Sequence, residues 1–201
     1  MIKKIPFLLI FSRAFIALLI ILIALFETTN YKLWIVSLMT LGLLTDVFDG
    51  IIARKLNVSN EKLRIWDSNV DQFFWISVSA CIFYLNRNFV LTNFFWIGIL
   101  VVLELLTYII SYLKFKKTIA THSILAKIWT ISLLMFLIDL MLNNESNFLF
   151  KTCLILGIIS RLEIISIIIK LKNWTTDVPS IFSVHKLNKG KTIKKYKLFN
   201  S

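Results

Sequence analysis

Long apolar runs separated by short lysine-bearing stretches dominate this chain and leave few folds open to it. Candidate spans lie at 6–26, 33–53, 67–86, 90–113, 122–142 and 148–170. Each approaches the roughly 20 apolar residues of helix that a bilayer core takes. At 58% hydrophobic and 17% charged, the chain is more apolar and less charged than a soluble domain. Only 5 Gly and 2 Pro are available to punctuate it, which favours long helices over many-turned β architecture. No window alternates as a membrane β-barrel strand does. The expected fold class is therefore all-α: a polytopic membrane protein with six transmembrane helices. Arg13 interrupts the first run and no small-residue cleavage pattern follows, so that run is read as an uncleaved span rather than a signal peptide.

The basic residues give an orientation. Lys3, Lys4, Arg54, Lys55, Lys62, Arg64, Lys114, Lys116, Lys117, Lys170 and Lys172 fall on one side, with the lysines of the tail. The other side holds Lys32, Arg87 and Lys151. By the positive-inside rule both the N-terminus and the C-terminus are expected to be cytoplasmic. The net charge of +12 sits in those blocks, a pattern suited to anionic lipid headgroups and not to nucleic acid. Cys81 and Cys153 lie within apolar runs and read as plain buried thiols.

Against this background the stretch 45–71, TDVFDGIIARKLNVSNEKLRIWDSNVD, holds Asp46, Asp49, Asp67 and Asp71. Asp46 and Asp49 share a helix face near the end of the second span, as do Asp67 and Asp71 at the start of the third. The connection, 55–66, is short enough for the two faces to meet. Small Gly50 and Ala53 continue the Asp46 face and leave room beside the backbone. Four carboxylates in one place need counter-charge, and carboxylate-rich oxygen sites favour hard cations such as Mg²⁺ or Mn²⁺. Two ions about 3.5–4 Å apart form a clamp for phosphoryl-type displacement. Arg54 is placed to meet a phosphate with its planar donor fork. The plainer reading makes the acids interfacial helix caps or partners of Arg54, Lys55, Lys62 and Arg64; four at these spacings argue against it.

The stretch resembles the signature of the CDP-alcohol phosphatidyltransferase family, D-x2-D-G-x2-A-R, eight residues, G-x3-D-x3-D. Every interval is kept from Asp46 to Asp71. One position departs: Leu63 stands where the family has its second glycine, beside the nucleotide site. The resemblance implies that Asp46, Asp49 and Asp67 bind two metal ions, and that Asp71 contacts metal and acts as general base on the acceptor hydroxyl. It also implies that Gly50, Ala53, Arg54 and, more weakly, Asn60 line the CDP part of a CDP-diacylglycerol donor. A homodimer, six membrane helices, and a product phosphodiester lipid with release of CMP are further implications.

The opening IPFLLIFSRAF resembles the start of phosphatidylglycerophosphate synthases, where a proline is followed by leucines and an arginine, with Arg13 as the arginine. AKIWT at 126–130 resembles their G-K-x-K-T, with Lys127 and Thr130 kept and Trp129 in place of the second lysine. These matches make glycerol 3-phosphate the first choice of acceptor, with Arg13, Lys127 and Arg161 facing it. Inositol phosphate, serine or phosphatidylglycerol stand as alternative acceptors. A non-catalytic member that binds CDP-lipid is a further alternative, to which Leu63 points. An ion transporter is disfavoured because all four acids sit at one end of the spans. Glu104, Asp139, Arg161 and Glu163 lie within spans and are expected to pair among themselves, and His122 reads as an interfacial residue. The organisation expected is a transmembrane transferase domain over 1–170 and a basic cytoplasmic tail over 171–201. The expected location is a bacterial cytoplasmic (inner) membrane, with the site facing the cytoplasm.

Overall fold

The computed structural model describes residues 5–190 apart from 57, 59, 60, 120 and 122; for Arg54 it describes the backbone alone. Asn60, His122 and the last part of the basic tail, each singled out in the sequence, lie outside the described residues. Among the described residues the chain is helical throughout, without a strand. The helices are α1 (Ile5–Phe26), α2 (Tyr31–Lys55), α3 (Glu61–Leu85), α4 (Arg87–Thr92), α5 (Phe94–Phe115), α6 (Ile124–Asn143), α7 (Phe148–Lys170) and α8 (Ile181–Asn188).

Five of these, α1, α2, α5, α6 and α7, are long and apolar enough to cross a membrane, which marks an integral membrane protein. The expected third span differs. It forms one 25-residue helix, α3, that starts at Glu61 rather than at 67. Lys62, Leu63 and Arg64 favour helix, and Glu61 in the first turn complements the helix N-terminus. The added turn brings Glu61, Lys62 and Arg64 into a helix that already carries Asp67 and Asp71, and α3 does not join the five. The expected fourth span is also interrupted. Asn93 leaves helical geometry at φ −110°, ψ 15°, so the short α4 is separated from α5.

The chain divides into two compact units. The first comprises Met1–Thr92 with Leu134–Ser146, and the second Asn93–Leu133 with Asn147–Ser201. In the first, α1 packs against both α2 and α3. Its buried residues Ile10, Arg13, Ala17, Ile20 and Ala24 recur every three or four positions along one face. The matching faces carry Ile35, Met39, Gly42, Asp49 and Ala53 on α2, and Arg64, Asp67, Val70, Phe74, Val78 and Ile82 on α3. At Gly42 an added Cβ would run into the Phe74 ring, so the glycine lets that ring lie against the α2 backbone. The opposite faces stay apolar and exposed, with Phe15, Leu18, Leu22 and Leu25 on α1. In water such faces would aggregate; in a bilayer they meet lipid chains of like polarity.

In the second unit, α5 packs on α7 and α7 on α8. Ile167, Leu171, Val178 and Val184 form the buried cluster that holds α8. Lys114 Nζ donates to the carbonyls of Ile168 and Ile169 at 3.0 and 2.6 Å, satisfying the end of α7. Asn188 ties α8 back by donating to the Lys170 carbonyl at 2.8 Å and accepting the Lys172 N–H at 2.9 Å.

Candidate active site

The face spacing described above brings the four aspartates of the first unit together around one side chain. Arg13 is wholly buried, one turn above Ile10 on the inner face of α1. An arginine there costs too much to leave unmatched. Its Nη1 donates to Asp46 Oδ1 at 2.7 Å, and its Nη2 to Asp49 Oδ2 and Asp67 Oδ1, each at 2.5 Å. Nη1 also meets Asp71 Oδ1. Two terminal nitrogens thus engage a carboxylate from every one of the four aspartates, while Nε has no partner.

Burial grades the acids. Asp49 and Asp67 are buried, whereas the Asp46 side chain is 35% exposed and that of Asp71 23%. Each pair therefore has one inner carboxylate and one facing outward. Arg64 Nη1 stands 3.9 Å from Asp67 Oδ2, on the same face of α3. A pocket opens beside the buried pair, lined by Pro6, Ile10, Asp49, Gly50, Ala53, Leu63, Arg64 and Asp67. Gly50 and Ala53 thus line the pocket that Asp49 and Asp67 enter. Leu63, at the departing position of the motif, is part of that wall.

The donor set fits a divalent cation. Asp46, Asp49 and Asp67 each offer a carboxylate oxygen, and these lie within 4.8 Å of one another. Hard oxygen ligands at that spacing suit Mg²⁺ or Mn²⁺. The buried guanidinium among the same oxygens shows how strongly this cluster calls for positive charge.

Residues 3–169, well over half of the 201, match the model of the CDP-alcohol phosphatidyltransferase family. The chain belongs to that family. Its members are transferases for substituted phosphate groups that move a phosphatidyl group from a CDP-alcohol to an acceptor, and they generally use a divalent metal. Searches of curated proteins and of solved structures returned no match.

Within this phosphatidyltransferase Glu104, Lys127, Arg161 and Glu163 lie in the second unit. Lys127 is in the first turn of α6. Arg161 of α7 is buried; its Nε meets Glu104 Oε2 at 2.8 Å and its guanidinium carbon lies 4.3 Å over the Trp129 ring. Glu163 Oε1 accepts the Ile181 N–H at 3.4 Å, at the start of α8. Asp139, in the first unit, accepts from Asn143 Nδ2 at 2.6 Å. So Arg161 and Glu104 pair with each other, whereas Glu163 and Asp139 turn to an amide N–H. The meeting of Arg13 with the aspartates went unread in the sequence. A signal was there: a lone arginine mid-span demands buried acids, and the chain offers four.

Proposed function

We propose that this protein transfers the phosphatidyl group of CDP-diacylglycerol to an alcohol acceptor at the carboxylate cluster of α1, α2 and α3, with CMP as leaving group. The observation that carries this reading is the convergence of Asp46, Asp49, Asp67 and Asp71 beside a pocket walled by Gly50 and Ala53. Asp46, Asp49 and Asp67, with Asp71 at the rim, would hold two ions, Mg²⁺ or Mn²⁺. When bound, such ions supply charge stabilisation for the donor's pyrophosphate and the departing CMP.

The chain's own residues do the rest. Asp71, partly exposed, accepts the proton of the acceptor hydroxyl as that oxygen attacks the phosphorus bearing diacylglycerol. Its contribution rests on its position beside that hydroxyl. Gly50 and Ala53 give the CDP part of the donor close access to the α2 backbone, and the family motif adds Arg54 and, more weakly, Asn60 to the CDP-binding residues. Glycerol 3-phosphate is the first choice of acceptor, as in phosphatidylglycerophosphate synthases. Leu63 in the pocket wall favours one second reading, a member that binds CDP-lipid without turnover.

The membrane setting is part of the proposal. We read α1, α2, α5, α6 and α7 as spans with α3 as the sixth, and both termini and the carboxylate cluster as facing the cytoplasm at a bacterial inner membrane. The protein works as a homodimer, with residues 171–201 as its basic cytoplasmic tail.

The test is CMP release from CDP-diacylglycerol by detergent-purified protein with Mg²⁺ and one alcohol at a time. Release with glycerol 3-phosphate is expected, falling by about 10²–10⁴-fold in Asp71→Asn. Release with another alcohol alone would replace the acceptor. Binding of CDP-lipid with no release for any alcohol would sink the catalytic reading and leave the binding one.

A further inference from the structure

We propose that Arg13 is the resident counter-cation of the carboxylate cluster, competing with divalent ions for it and so setting how tightly they are held. This rests on the metal-dependent reading above. The guanidinium does not point past the aspartates toward a substrate; its donors end on the oxygens that would ligate a metal. Asp46 Oδ1, Asp49 Oδ2 and Asp67 Oδ1 receive its hydrogen bonds at 2.7, 2.5 and 2.5 Å, and Asp71 Oδ1 meets the same Nη1 that serves Asp46. Arg13 is wholly buried, so solvent screens its charge on the cluster far less than it would at a surface. A divalent ion entering among these oxygens meets a like charge at contact range and must displace it.

The backbone of Arg13 is not free to yield. Ile10, Ala17 and Ile20, on the same face of α1, are buried against the neighbouring helices. Displacement therefore takes place by rotation of the long side chain, while α1 stays seated. The arrangement has a second effect. Four carboxylates on the facing surfaces of α2 and α3 would repel one another, and Arg13 neutralises part of that charge. The three helices can therefore assemble before any cation arrives.

The experiment uses the full chain in detergent, comparing wild type with Arg13→Gln and Arg13→Lys. Mn²⁺ binding is followed by the loss of the free-ion electron paramagnetic resonance signal, and melting is followed in EDTA and in saturating Mg²⁺. Arg13→Gln is expected to bind Mn²⁺ about tenfold more tightly than wild type, with Arg13→Lys between them. It is also expected to melt well below wild type in EDTA and to regain most of the difference in Mg²⁺. Equal or weaker Mn²⁺ binding by both variants would overturn the proposal, since Arg13 would then support the ions rather than oppose them. If Arg13→Gln yields no folded protein, Arg13→Lys decides by the same criterion. A wild type that binds no Mn²⁺ would remove the metal reading itself, and this proposal with it. Mn²⁺ bound by wild type and lost in Asp49→Asn keeps the two failures apart.

Discussion

At the scale of single residues, charge inside the apolar helices is settled by pairing within each unit. Arg161 illustrates this away from the aspartates. It is held by Glu104 and capped by Trp129, and Trp129 in turn lies on Gly157, where an added Cβ would stand 2.6 Å from the indole nitrogen. Glu104→Leu should strand the buried arginine and lower stability by about 3–5 kcal/mol, seen as a lower melting temperature in detergent. Adding Arg161→Leu should return most of the loss, because a matched apolar pair needs no counter-charge. A double variant no more stable than the single one would show that Arg161 is not kept in place by Glu104. The four aspartates were legible in the sequence because their spacing repeats the helical period. Their partner was not: Arg13 meets them only through the packing of α1, and no linear pattern records which helix faces which.

At the scale of elements, the contact of α2 with α3 depends on Gly42. Phe74 is 1% exposed, and its ring occupies the space that any larger residue at 42 would need. Alanine raises helix propensity over glycine by about 1 kcal/mol, but crowding a packed aromatic ring costs about 1–3 kcal/mol. Gly42→Ala is therefore expected to lower the melting temperature, and Gly42→Ala with Phe74→Leu to recover it. Because α2 and α3 carry the two aspartate pairs, the single variant should weaken Mn²⁺ binding as well. A Gly42→Ala protein that melts higher than wild type would show that the ring yields freely. Hydropathy marked the long apolar helices well, and their positions differ from the expected spans by only a few residues. It failed at the start of α3 and at Asn93. Helix propensity and local backbone geometry decide those points, and neither is carried by a count of apolar residues.

At the scale of the whole molecule, the membrane orientation proposed above predicts which connections meet which solvent. In a variant without Cys81 and Cys153, an impermeant thiol reagent applied to intact cells should label Thr29→Cys and Glu145→Cys. It should label Lys55→Cys and Lys116→Cys only after the cells are opened. The reverse pattern would invert the protein. The exposed surface also bears on how the fold is reached. On α5 the two buried residues are Thr107 and Ser111, both polar, while Val101, Val102, Leu105, Leu106, Ile109 and Leu113 face outward. A helix so arranged gains nothing from collapse in water, for its greasy side would still be wet. Entry into lipid must then come first, and the joining of helices second. Partition of each helix into lipid, rather than a collapse in solution, then sets the order in which this chain takes shape.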